Sequence, residues 1–158
     1  MNRIYFTVDG KPKPQKRHRT NQGRTYDPSA QDKREFYLQS RQYAPKEPIV
    51  GPVLLYVVFY MPVPKGAARA LRVDVQSEDG FSTTPGGTSG RMCDAYTGAA
   101  MPLARIFHTK RPDVDNLLKL VKDSLTGLFW VDDSQVQIGG CFKIYSHSPR
   151  TVIELFWG

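Results

Sequence analysis

Residues 53–60 read VLLYVVFY, eight consecutive apolar or aromatic side chains. Such a run has no polar face to present to water. β-Branched and aromatic residues favour strands, and the run is short for a helix. It predicts a central strand covered on both faces. Pro62 and Pro64 end it, because proline lacks the N–H a strand ladder needs. A strand of this kind cannot stand alone, so the rest of the chain must supply neighbouring strands and amphipathic helices.

The flanking sequence supplies both. Residues 2–8 alternate, with Ile4, Phe6 and Val8 on one side and Arg3, Tyr5 and Thr7 on the other, which predicts a half-buried strand. Asp27-Pro28 reads as an N-cap followed by proline at the first helical position. That helix runs to about Tyr43 before Pro45 and Pro48, with Phe36, Tyr37 and Leu38 as its apolar side. After Pro112, the side chains of Val114, Leu117, Leu118, Val121, Leu125 and Leu128 fall on one helical stripe, and Gly127 is placed to end it. Residues 129–131 read as extended. Residues 135–138, 141–145 and 151–157 read as strands, the last two paired around SHSPR. Between the two halves, six glycines lie from Gly66 to Gly98, which predicts a long loop over 66–105 with a helical turn at 67–72. The order β, α, β, loop, α, strands implies a single α+β domain over residues 1–158: a small mixed sheet with two helices packed on it.

Charge narrows the function. The net charge of +7 and pI near 9.5 point to a polyanionic partner, most simply nucleic acid. Residues 11–24, KPKPQKRHRTNQGR, hold Lys11, Lys13, Lys16, Arg17, Arg19 and Arg24 and no acid. Pro12 and Pro14 bar a regular helix there, so the stretch reads as an extended phosphate contact that orders on binding. Cys93 and Cys141 are far apart and form neither a disulfide framework nor a metal motif, which favours a reducing compartment. No segment is long and apolar enough to span a bilayer, and the first ten residues lack a signal-peptide core. The expectation is a soluble, cytoplasmic protein.

Against that basic background, RPDVDNLLKLVKDSLTGLFWVDDSQV (111–136) holds five of the fifteen acidic residues. Asp113 and Asp115 sit at a helix mouth, where helix capping would explain one of them. A second, two residues on, adds repulsion that a cation would relieve. Asp132-Asp133 would be an ordinary turn if taken alone. If the chain returns alongside the helix, Asp132 or Asp133 comes back near Asp113 and Asp115. Three convergent carboxylates make a hard oxygen site suited to Mg²⁺ or Mn²⁺. Lys119, four residues after Asp115, is either a surface ion-pair partner worth about 0.3–0.5 kcal/mol or a cation beside a reacting phosphate. Asn116 can orient a carboxylate or cap the helix. Lys110, Arg111 and Lys122 surround the acids with positive charge. Carboxylates for metal within a basic field for DNA are what a nuclease needs.

The same stretch resembles the signature of the RusA-type Holliday junction resolvases, a family found mostly in bacteriophages and prophages. Asp-x-Asp-Asn-x-x-Lys followed by Asp-Asp-x-Gln stands here in full and in order. A first strand, a Lys/Pro/Arg-rich loop and GRTYDP opening a helix extend the resemblance over about three quarters of the chain. It implies a small α/β homodimer that nicks four-way DNA junctions in pairs with Mg²⁺, Mn²⁺ substituting, leaving a 5′-phosphate and a 3′-hydroxyl. It implies Asp113, Asp115 and Asp133 as catalytic and metal-binding, Lys119 as the essential lysine and Asp132 as accessory. Residues 66–105 depart from the family by being longer and richer in glycine. Three other readings compete. A non-catalytic DNA-binding protein leaves the paired acids without a purpose. A nucleotide-sugar transferase needs a larger nucleotide-binding sheet. A nuclease acting more broadly on flaps and forks shares every feature.

Overall fold

The long apolar run sits in the interior of a four-stranded mixed sheet. In the computed structural model, residues 1–64 and 107–158 are described. The loop expected at 66–105, its helical turn and Cys93 lie outside the described residues. Strands β1 (Asn2–Asp9), β4 (Val53–Pro62), β5 (Val136–Ser146) and β6 (Arg150–Trp157) are ordered β1-β6-β4-β5. β6 is antiparallel to both neighbours, and β4 and β5 are parallel. A parallel pair needs a crossover. It is the chain between β4 and β5, which carries helix α2 (Val114–Leu125). Helix α1 (Ala30–Ser40) precedes β4. Among the described residues the architecture is α+β, a mixed sheet with two α-helices.

Alternation along β4 places Val53, Leu55, Val57, Phe59 and Met61 at 0–1% exposure. They form one core with Phe6 and Val8 of β1, Phe36 of α1, Leu117, Leu120, Val121 and Leu125 of α2, and Ile153 and Leu155 of β6. The other face of β4 is only half-buried, so the expectation of cover on both faces is corrected. Its residues are apolar for another reason: they pack among themselves along the sheet. Tyr56 meets Phe156 edge-on at 6.0 Å, and the Arg150 guanidinium lies 3.8 Å from the Tyr60 ring centre.

Several local expectations change. The last two strands are not paired, because β4 lies between them. Hydrophobic pattern marks strands, but sheet order follows from the crossover. The runs 135–138 and 141–145 are one strand, bulged where Gly139 is skipped between Ile138↔Leu55 and Gly140↔Tyr56. A side chain at Gly139 would overlap the Tyr56 ring, so glycine is what lets that ring lie across the bulge. α1 begins at Ala30 rather than at Pro28, since Asp27 closes an Asx turn instead, its Oδ1 accepting from Ser29 N at 2.8 Å. Of α1's expected apolar side only Phe36 is buried; Tyr37 and Leu38 are 38% and 55% exposed.

α2 follows its stripe more closely. Leu117, Val121 and Leu125 are buried, Leu120 and Ser124 join them, and Val114 is exposed because burial begins one turn later. Gly127, at φ +81°, turns the chain, and its N–H donates to Trp130 O at 2.7 Å. Of the segment expected as extended, Phe129 closes the turn at 127–129, whereas Trp130 bridges Ile49 in parallel. Phe129 and Trp130 drop fully into the core, and the Trp130 indole donates to Thr126 Oγ1 at 3.0 Å.

Candidate active site at the mouth of helix α2

The approach to α2 is stitched to the edge of β5. Phe107 bridges Ile144, and His108 N donates to Lys143 O at 2.9 Å. The Lys143 ammonium then donates to Pro112 O at 2.6 Å and to Lys110 O at 3.0 Å. Two carbonyls flanking Arg111 are thus fixed by one half-buried cation just before Asp113. His108, whose ring meets Tyr145 at a tilt with centres 4.9 Å apart, has its pKa lowered by burial and by the Lys143 charge. Sequence reading missed Lys143. Its signal was a lone lysine inside the apolar run CFKIY.

Asp113 occupies the N-cap position, where its backbone carbonyl accepts from Leu117 N at 3.3 Å, yet its side chain makes no capping hydrogen bond. Capping therefore does not account for this carboxylate. Asp115 lies in the first turn. Among the described residues neither carboxylate has a hydrogen bond or ion pair to another side chain, and neither does the Lys119 ammonium. The Asp115–Lys119 surface pair considered from spacing is not made. Asn116 contributes its backbone: its carbonyl accepts from Gln15 N at 2.8 Å.

That bond docks the basic stretch beside the acids. Its course is extended, as expected, but it is held without DNA, because α1 and α2 supply acceptors along it. Lys13 Nζ reaches Asp32 Oδ1 at 2.8 Å and Glu35 Oε2 at 3.1 Å, and these carboxylates raise its pKa. Lys16 N donates to the buried Ser29 Oγ at 2.7 Å, and its ammonium lies 3.7 Å from Asp32. Among the described residues Lys11, Arg17, Arg19, Arg24, Lys110 and Arg111 make no ion pair. Residues 19–26 are not loop but a hairpin, β2 (Arg19–Asn21) and β3 (Arg24–Tyr26).

The second acidic pair divides its roles. Asp132 caps a 3-10 turn (Asp133–Gln135): its Oδ1 accepts from Ser134 N at 2.8 Å, and that hydrogen bonding holds its carboxyl below the usual range. Gln135 locks the same turn. Its Oε1 accepts from Asp132 N at 2.8 Å, while its Nε2 donates to Ile49 O at 3.1 Å and Gly51 O at 2.7 Å. The glutamine of the Asp-Asp-x-Gln motif thus fastens the turn to the chain entering β4. Asp133 is left outward, 57% exposed, with Oδ2 3.2 Å from Lys122 Nζ. The chain does return alongside α2, but the partner Asp133 meets is Lys122, seven residues beyond Asp115. Among the described residues no three His, Cys, Asp or Glu side chains are gathered as a metal cluster. As donors, Asp113, Asp115 and Asp133 are hard, exposed oxygens of the kind Mg²⁺ takes.

Asp113, Asp115 and Lys119 thus stand on the first turns of α2, edged by a docked basic strap. Residues 9–156 match the family described as endodeoxyribonuclease RusA. The chain belongs to that family of DNA endonucleases. It is also 31% identical over 161 aligned positions to the uncharacterized protein YqaN of Bacillus subtilis (strain 168), covering 98% of this chain and 96% of that one. Among the described residues no helix is long and apolar enough to cross a membrane.

Proposed function

We propose that this protein is a Mg²⁺-dependent endodeoxyribonuclease, with Mn²⁺ as a substitute, that resolves four-way DNA junctions by paired nicking as a homodimer. The observation that carries the reading is the absence of internal partners, among the described residues, for Asp113, Asp115 and Lys119, in a chain of net charge +7. Asp113, Asp115 and Asp133 would hold the cation, with Asp132 as their neighbour. Asp133 is available because an exposed pair such as that with Lys122 is worth at most about 1 kcal/mol. The bound ion would polarise the phosphate and lower the pKa of an attacking water. Lys119 would stabilise charge developing on the phosphate. Lys11, Lys13, Lys16, Arg17, Arg19, Arg24, Lys110, Arg111 and Lys122 would hold the backbone. Two sites related by dimer symmetry suit the near two-fold symmetry of a junction, and the products are a 5′-phosphate and a 3′-hydroxyl. A DNA substrate of this kind places the work in the cytoplasm of a bacterial or phage-infected cell.

The test is incubation of the protein with labelled four-way junction, flap and linear duplex, in Mg²⁺ or EDTA. Paired cuts in the junction, lost in EDTA, are expected. Linear duplex cut as fast as junction would remove the reading, and equal cutting of flaps would replace it with a broader nuclease.

Two further outcomes follow from the geometry. Replacing Lys16, Arg17 and Arg19 by Ala should weaken binding to every DNA and flatten its salt dependence, each lost phosphate contact reducing the log–log slope by about 0.9 on duplex. Lys16 is already close to Asp32, so a salt titration of each single variant should give it the smallest change. Lys143→Met should lower cleavage by roughly 10- to 100-fold at low Mg²⁺, because two carbonyls that shape the approach to Asp113 lose their donor. A Mg²⁺ titration of the cleavage rate should show partial recovery at high metal, with Lys143→Arg retaining more activity than Lys143→Met.

A further inference from the structure

The hairpin β2–β3 stands apart from the main sheet and forms its own two-stranded ribbon. Gln22 and Gly23 both have positive φ, +48° and +77°, which makes the two-residue connection a type I′ turn. All six strand residues are exposed, Tyr26 by 48%. Isolated ribbons are marginal in water, and this one is secured at its base. Lys16 N is bound to Ser29 Oγ on one leg, and Asp27 on the other is bound to Lys33 Nζ at 2.8 Å, with His18 Nε2 3.8 Å away. Beyond that base none of its strand residues is buried, so core packing does not explain their identity.

Register sorts them. Arg19 opposes Tyr26, Thr20 opposes Thr25 and Asn21 opposes Arg24. Opposed residues share a face, and successive pairs alternate. One face therefore presents Arg19, Asn21, Arg24 and Tyr26. The other presents only Thr20 and Thr25, whose hydroxyls lie 3.3 Å apart. Both cations are arginines, neither is in an ion pair among the described residues, and no acid occurs between Asp9 and Asp27.

We infer that the Arg19–Asn21–Arg24–Tyr26 face enters a groove of a DNA arm and reads base edges there. The inference rests on the reading of this protein as one that binds DNA junctions. A two-stranded ribbon fits the major groove, about 12 Å wide. Arg forks match the two acceptors of guanine, and an Asn amide matches the donor and acceptor of adenine. The tyrosine adds an apolar ring beside them. The asparagine amide can also donate to a phosphate, but only a base edge uses its donor and its acceptor together.

The experiment selects bound sequences from four-way junctions with randomised arms, using wild-type protein in EDTA, so cleavage plays no part. The wild type should enrich a base pattern. Asn21→Ala and Arg24→Ala should each flatten it at one position by roughly 5- to 100-fold, the discrimination of one good bidentate contact. A Thr20→Ala, Thr25→Ala double variant should keep the wild-type pattern. A flat wild-type profile, or an unchanged profile in both Asn21→Ala and Arg24→Ala, overturns the inference in favour of phosphate contact alone. Equal loss in the threonine double variant overturns the face assignment. Selective binding without Mg²⁺-dependent cutting would sink the nuclease reading and leave this one standing.

Discussion

Asp115→Asn is expected to abolish cleavage while leaving junction binding intact. The substitution removes one negative charge and a hard metal donor, adds no bulk, and leaves the basic strap untouched. A divalent ion at such a site is worth several kcal/mol of transition-state stabilisation. Losing about 4 kcal/mol of it corresponds to roughly a thousandfold in rate. Stability should change little, since the Asp115 carboxylate makes no hydrogen bond or ion pair among the described residues. The helix dipole favours a first-turn acid by only about 0.3–1 kcal/mol. Single-turnover cleavage beside a thermal melt separates the cases. A variant that unfolds and loses DNA binding together would mean that the acid serves the helix and not the reaction.

The elements that sequence made legible are those whose signal is local. The run at 53–60, the alternation at 2–8 and the stripe from Leu117 to Leu125 each carry a burial period in consecutive residues. Sheet order is not local, which is why β5 and β6 were expected side by side although β4 separates them. The hairpin escaped for a different reason. None of its strand residues is buried, so no apolar period marks them, and its turn uses Gln22-Gly23 in place of the more telling Asn-Gly.

The site was legible as a set of residue types but not as a division of labour. Spacing could not distinguish Asp132, which caps a turn, from Asp133, which faces outward. It could not show that Lys13 is engaged by Asp32 and Glu35 while Arg17 and Arg19 make no ion pair among the described residues. Nor could it find Lys143, whose role depends on a strand far along the chain meeting the Pro112 carbonyl. Each distinction is set by tertiary contacts between segments that sequence places far apart.

Lys119→Ala should lower the cleavage rate by roughly a hundredfold or more, with junction affinity changed little. Spacing alone allowed a structural role, an ion pair with Asp115 worth about 0.3–0.5 kcal/mol. The structure does not form that pair, so its loss has no structural cost to report. An exposed ammonium one turn from the unpartnered Asp115 carboxylate would instead be free to meet a phosphate. Truncation should therefore move the melting temperature little. Lys119→Arg keeps the charge but spreads it over a planar fork with a different reach, so partial rescue is expected. The measurement is single-turnover cutting of a four-way junction at saturating protein, with a thermal melt of each variant. A Lys119→Ala protein that folds normally and cuts at the wild-type rate would remove the lysine from the chemistry and leave the aspartates to carry it alone.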